Sequence, residues 1–369
     1  MILFLCRRRD LAREALGYAR AFERRGVRVA CVEDSLPCNG ELGSLLARYD
    51  QKPALILHPE TQFPFFPRGL TQTDIPTACF HYDVYAYTQR RVRWAMLFDY
   101  AFLFHPGFEE PFRSAGHPNP ITLPHAVEQA FSANVPKSQR SIDLAWAGRI
   151  DGPLYAGRRR ILPAVAASCR MNDWARSYGY EEMGKLYGCA KIGLNIARDD
   201  YPQDANLRVF EIMAAGAMLI TSLPSELEKL GFRPGEHFVG YNGESNLLDS
   251  VRYYLAHDAE RELMAQAGRE LVLKEHTYDR RAEMIVQTLE RDEGRLFAPA
   301  RSWPEALLRQ VYVDYYCANN LMACAFEEFR RLAVTRPGAA CGSLPPILGA
   351  VRRRLKGRVT HFSNTWVQK

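Results

Sequence analysis

Short apolar runs alternate with amphipathic helical segments through most of this chain, and that alternation constrains the fold more than any other feature of the sequence. ILFLC (Ile2 to Cys6), VRVACVE (Val27 to Glu33), ALILH (Ala54 to His58), TACFH (Thr77 to His81), FDYAFLF (Phe98 to Phe104) and Ile121 to Leu123 read as buried strands. Between them lie helical stretches. The first is capped by Asp10 and stopped by Gly26, and another follows near Leu42 to Arg48. Strands that alternate with helices require crossover connections, hence a parallel sheet with helices on both faces.

The pattern breaks at SANVPKSQRS, between Phe131 and Ser141, which is polar and aperiodic and reads as a linker. It then restarts. Strands are predicted at Asp143 to Ala147, Ile192 to Ile196, Met218 to Thr221 and Phe238 to Tyr241. Helices are predicted at Arg158 to Ala167, Glu181 to Cys189, Leu207 to Ala214, Asn246 to His257 and Ala259 to His276. Beyond Glu290 strand signals cease. Trp303 to Leu332 reads as continuous helix, Pro337 to Pro346 as a loop, and Ile347 to Val359 as a basic amphipathic segment. The expected organisation is an α/β chain of two doubly wound Rossmann-like domains facing a central cleft, residues 1–135 and 141–290, with a helical extension over 291–369. A length of 369 residues suits two such domains.

A net charge of +6 fits anionic small ligands and is too small and too dispersed for nucleic acid. The nine cysteines include no CxxC pair and no zinc-like spacing with histidine, so they read as reduced thiols. No signal sequence or apolar span is apparent, and a cytoplasmic location is expected. No GxxxxGK[ST], Gly-x-Ser-x-Gly or DxD motif is present, which argues against a P-loop, a hydrolase elbow and a metal-held nucleotide-sugar.

The densest chemical signal is NIARDDYPQDANLRVFEIMAAGAMLIT (Asn195 to Thr221). A strand ends at Asn195, a polar loop follows, and a helix starts near Asn206. Loops after strand C-termini line the crevice of a doubly wound sheet, and the next helix offers unpaired N–H groups to phosphate. Arg208 in the first turn opposes the helix dipole and calls for a local anion. Glu211 lies one turn on, a carboxylate suited to ribose hydroxyls; the alternative is an ordinary surface ion pair.

This segment and its continuation to Tyr278 resemble the donor domain of GT-B glycosyltransferases, and most nearly the CgeB-like branch of the glycosyl transferases group 1 family. Asn206, Arg208, Phe210 and Glu211 match an Asn-x-Arg-x-Phe-Glu core, over a resemblance that runs from about Asp143 to Val286. It implies that Glu211 binds donor ribose, that Gly148 and Arg149 lie beside the donor diphosphate, and that Asn195 and Asn206 help to hold the nucleotide. It also implies a glutamate where this chain has Gln203, which would contact the sugar. IPTACFHYDVY (Ile75 to Tyr85) and LPHAVEQAF (Leu123 to Phe131) resemble acceptor-side segments; they place His81 and Asp83 at the crevice as base candidates, and His125 after a further strand.

The function implied is transfer of a hexose-like sugar from a nucleotide diphosphate donor, retaining and metal-independent, with no cofactor besides the donor. The acceptor would be a glycan, a lipid-linked group, a protein or a small molecule. Two other readings are a catalytically silent binding or scaffold protein and a sugar-nucleotide epimerase. In the C-terminal segment, Ile347, Leu348, Val351 and Leu355 recur at helical spacing among Arg352, Arg353, Arg354, Lys356 and Arg358, which raises weak contact with an anionic membrane surface.

Overall fold

The computed structural model describes residues 1–33, 36–61, 63–128, 131 and 139–359, with side chains to 354. Its contacts divide the chain into two compact units, residues 1–122 with 288–368, and 123–287. The linker expected between Phe131 and Ser141 lies mostly outside the described residues.

The first unit is built on six parallel strands: β1 (Ile2–Phe4), β2 (Val29–Cys31), β3 (Leu55–His58), β4 (Thr77–His81), β5 (Tyr100–Leu103) and β6 (Pro120–Thr122), in the order β2-β1-β3-β4-β5-β6. The helices α1 (Arg13–Arg24), α2 (Leu42–Leu46), α3 (Thr88–Ala95) and α4 (Glu109–Ser114) connect them. β1, β3, β4 and β5 are almost wholly buried, which is why each reads as an unbroken apolar run rather than an alternating one. Asp10 does not cap α1. A short 3-10 turn over Arg8–Asp10 intervenes, and the capping position falls to Ala12, which makes no side-chain cap bond.

The second unit holds four parallel strands, β7 (Ile142–Ala145), β8 (Ala190–Asn195), β9 (Met218–Ser222) and β10 (Val239–Tyr241), in the order β10-β9-β8-β7. Its helices are α5 (Ala156–Ser168), α6 (Tyr180–Gly188), α7 (Leu207–Ala214), α8 (Gly243–Ala256), α9 (Asp258–Glu275) and most of α10 (Tyr278–Arg291). Alternate strand residues feed the two faces. Ala145 and Leu219 join the core with α6 and α7, while Leu144, Ile192, Leu194 and Ile220 join the core with α5 and α8. Helix α7 lies so close to β8 that a Cβ at Gly193 would collide with Ile212.

The C-terminal region departs most from the sequence reading. Trp303 to Leu332 is not one helix. Asn320, at φ 59°, separates α11 (Glu305–Ala318) from α12 (Met322–Thr335). The expected loop at 337–346 contains a short helix, α13 (Pro337–Cys341), before α14 (Leu344–Val359). Nor do the described residues after α10 stand apart as an extension: they pack into the core of the first unit. Phe66 and Tyr315 stack with centroids 3.7 Å apart, and the hydroxyls of Tyr312 and Tyr316 donate to the carbonyls of Pro67 and Phe66 at 2.9 and 2.6 Å. Each such aromatic removes roughly 1.5–3 kcal/mol worth of apolar surface from water. Phe66 and Pro67, from the proline- and aromatic-rich run after β3, are thereby committed to packing. Buried Asp99 accepts from the backbone N–H groups of Thr77, Phe297 and Ala298 at 2.7, 2.6 and 2.8 Å, which binds the post-α10 chain to the sheet.

Helix α14 turns Ile347 and Ala350 into this same core, and Arg353 donates to the carbonyl of Cys317 at 3.3 Å. Part of the apolar face offered to a membrane is thus spent on the protein itself, while Leu348 stays exposed. No described helix is long and apolar enough to cross a membrane.

Candidate functional site

Polar residues of the second unit converge where β7, β8 and β9 end, the edge at which parallel α/β sheets bind ligands. Asn195, fully buried at the end of β8, is the hub. Its Nδ2 donates to Thr221 Oγ1 at 2.9 Å, and its Oδ1 accepts from Arg208 at 2.8 Å and from Asn206 at 3.3 Å. Asn206 is the N-cap of α7, accepting from the Arg208 backbone N–H at 3.1 Å. The cap is strong by residue type, and it fixes where α7 begins.

Arg208 reaches back across the sheet edge, its Nε donating to the Ala147 carbonyl at 2.5 Å. A side chain at Gly148 would collide with Arg208 Nη2 and come within 3.1 Å of the Trp146 ring, so this position admits only glycine while Arg208 lies there. Arg158, on α5, approaches the same tryptophan. It is buried, and it donates to the carbonyls of Ile196 and Arg149 at 2.9 and 2.8 Å. The guanidinium carbons of Arg158 and Arg208 sit 5.9 and 5.6 Å from the Trp146 ring centre. These hydrogen bonds go to neutral oxygens; the carboxylates that act on Arg158, Asp204 and Asp199, do so through space. Burial first, and then the Arg208 charge, pulls Arg158 down to about 9. Two cations held beside a helix N-terminus in a partly dry site favour an anion.

The loop from β8 to α7 is secured from within. Glu226, buried in the loop after β9, accepts from Tyr201 OH at 2.5 Å and from the Ala205 backbone N–H at 3.2 Å, while its own N–H donates to the Gln203 carbonyl at 2.9 Å. The carboxylates of Asp204 and Glu226 lie within 4.8 Å of each other. Sequence inspection finds no carboxylate pair here, because the partners come from loops after different strands. Both Glu226 oxygens already accept protein hydrogen bonds, which gives the residue a structural task.

The fold thus gathers Gly148, Asn195, Asn206 and Arg208 into one connected set. Arg149 lies beside it, its guanidinium 5.8 Å from the Tyr155 ring. Glu211 sits one turn along α7 and is only 3% exposed. Gln203 is half-buried and hydrogen-bonds Tyr201.

The base candidates fare differently. His81 ends β4 in the first unit, but its imidazole is buried between Cys79, 3.6 Å from Nε2, and Arg91, 3.5 Å from Nδ1. Burial and the Arg91 charge hold it well below the usual histidine range, so it is neutral. It lines a cavity of about 30 Å³ with His58, Glu60, Thr61, Tyr315 and Asn319, room for a water or two rather than a sugar. Asp83 is half-buried in the turn after β4, where its carbonyl accepts from the Ala86 N–H at 2.9 Å. His125 belongs to the second unit and is buried.

The run Arg158 to Arg160 reads as a solvated helix face for at least two of its three residues, and the third is Arg158. Arg159 and Arg160 are indeed exposed, whereas Arg158 shares the buried stripe of Ile161, Leu162 and Val165. That i, i+3, i+4, i+7 spacing was the available signal.

Comparison with known proteins adds to this geometry. No curated protein matches the chain in sequence. Among solved structures, Anabaena HepE in complex with UDP-glucose superposes with a TM-score of 0.56 at 13% identity, covering 79% of this chain and 99% of that one. A glycosyltransferase from Rickettsia africae gives 0.57 at 8% identity, covering 79% and 97%, and sucrose-phosphate synthase from Thermosynechococcus elongatus gives 0.53 at 13%, covering 79% and 98%. Residues 148–287 match the family described as glycosyl transferase-like. That segment begins at the glycine under Arg208 and runs to the end of the second unit; it is similar to the glycosyl transferase-like family, and the chain around it shares the two-sheet GT-B fold of these structures.

Proposed function

We propose that this protein is a hexosyltransferase of the CgeB-like branch and takes its sugar from a nucleotide diphosphate donor held in the second unit. The observation that carries this reading is the pair Arg158 and Arg208, fixed by neutral oxygens beside Trp146 near the capped start of α7. A diphosphate supplies the missing negative charge. Catalysis then rests on electrostatic stabilisation of the departing diphosphate, with α7, Arg208 and Arg158 already oriented before the bond breaks. Gly148 leaves space for close approach, and Glu211 is assigned to the ribose. The UDP-glucose complex of Anabaena HepE makes a UDP-sugar the first donor to test.

A retaining outcome is what the family resemblance implies, and the burial of His81 removes one of the two base candidates that an inverting route would use. Metal independence fits the arginine pair as the source of positive charge and Glu226 already spent on Tyr201 and Ala205. The test is calorimetric titration with UDP, GDP and TDP and their glucose conjugates, with and without EDTA, followed by assay of released nucleotide diphosphate. One nucleotide should bind in the presence of chelator, and Arg208→Ala should weaken that binding. Binding restored only by manganese would overturn the metal-independent reading, and binding without turnover of any donor would leave a binding protein in place of an enzyme.

A further inference from the structure

Outside the donor site, one contact in the first unit is too close for its chemistry to be ignored. The Sγ atoms of Cys38 and Cys324 are 2.7 Å apart, although the residues are 286 positions apart in the chain. That is inside van der Waals contact for two unbonded sulfurs and within ~0.7 Å of a disulfide bond. Cys38 lies in the segment after β2 and Cys324 in the first turn of α12. The corner is rigid around them. Asn39 donates to Glu327 at 2.7 Å, Arg68 bonds Glu328 at 2.9 Å, and the Phe66 N–H donates to the Cys38 carbonyl at 2.8 Å.

We infer that Cys38 and Cys324 form a reversible disulfide that staples α12 to the first sheet, closed by exchange with a small-molecule disulfide. This inference is independent of the donor-site reading. Cys38 is the attacking group. It is partly exposed, while Cys324 is buried, and the Cys324 thiol hydrogen-bonds it and holds it below the usual thiol range. The Cys38 thiolate attacks one sulfur of the reagent, the reagent S–S bond breaks, and one thiol leaves. Cys324 gives its proton to solvent and attacks Cys38 Sγ, the mixed disulfide breaks, and the second thiol leaves. Two protein thiols are oxidised to one disulfide, and one reagent disulfide is reduced to two thiols. The bond would restrain α11 as well, because α11 and α12 pack as a hairpin, and α11 carries Tyr315, whose hydroxyl meets His58 at 2.8 Å.

The test uses the full chain, reduced, freed of reductant and incubated with excess glutathione disulfide at neutral pH, then alkylated under denaturing conditions and peptide-mapped. The expected product is a peptide pair joined at Cys38 and Cys324, with a rise in Tm of about 5 °C that dithiothreitol reverses. Cys341, the exposed thiol, is the internal control and should carry glutathione. The variant C324S should accumulate glutathione on Cys38 and lose the Tm shift. If Cys341 reacts while Cys38 and Cys324 are both recovered alkylated, the inference fails. Since the wild-type map decides that point, a variant that does not fold leaves the test intact.

Discussion

The two units handle buried polarity in opposite ways. In the first, polar groups lie inside the packing. His58 is pushed down to about 3 and His117 to about 4 by burial, His81 is held neutral, and Asp99 and Glu328 are fully enclosed by donors. In the second, the polar groups gather at one sheet edge, with arginines bonded to neutral oxygens and a helix start aimed at the same place. In the first, Asp99 and Glu328 meet cationic or backbone donors directly; in the second, the guanidinium hydrogen bonds of Arg158 and Arg208 go to uncharged oxygens. Position on a doubly wound sheet is therefore weaker evidence of function than the balance of charge. His81 ends a strand and Arg208 lies in the helix after one, yet His81 is buried and neutral whereas Arg208 is a cation hydrogen-bonded to uncharged oxygens.

Acid should break this contrast most strongly. A histidine whose folded pKa is depressed costs stability as pH falls below the unfolded value near 6.5, because the unfolded chain then takes up the proton. Each contributes at most about 1.4 kcal/mol per pH unit until its folded pKa is reached. His58 and His117 together therefore remove up to about 5 kcal/mol from the first unit between pH 6.5 and 4.5, and His276, pushed down to about 3, removes about half that from the second. Hydrogen exchange followed by mass spectrometry should show strands β3 to β5 losing protection at a higher pH than β8 and β9. Simultaneous loss would show that the units unfold as one, or that the buried histidines do not dominate.

The donor edge is sharpened by substitution. Arg208→Ala should lower kcat/KM by about 100-fold, near 3 kcal/mol, by removing a fixed donor from the departing diphosphate. Gly148→Ala should do nearly as much by displacing that same guanidinium while leaving its charge in place. Arg159→Ala on the exposed face of α5 should leave kcat/KM within twofold. If Gly148→Ala binds donor normally, Arg208 is not held where the ligand needs it.

Glu211→Ala should weaken donor binding by ~1–3 kcal/mol, the scale of a lost charged hydrogen bond. Unchanged affinity in a folded variant would falsify the ribose assignment. The smallest effect belongs to the cap: Asn206→Ala should cost about 1 kcal/mol of stability, read from urea midpoints. It should also raise the donor KM slightly, because Asn206 shares the Asn195 oxygen with Arg208.

Much of this was readable in the chain itself. Alternating apolar runs and amphipathic helices identify a parallel α/β architecture, since a strand buried on both faces and a helix buried on one have distinct periods. The start of α7 is equally legible, because Asn-Leu-Arg after a strand carries its own capping chemistry. Those are local facts, and local sequence determines them. Partnerships between distant segments were decided only by the tertiary structure. The helices after Phe297 fill the first unit's core, Cys38 meets Cys324, Asp204 meets Glu226, and one arginine of three turns inward to flank Trp146. The physical reason is that apolar periodicity states that a face must be buried without stating against what. A polar side chain likewise shows its charge in sequence, but not the neighbours that satisfy it or leave it waiting.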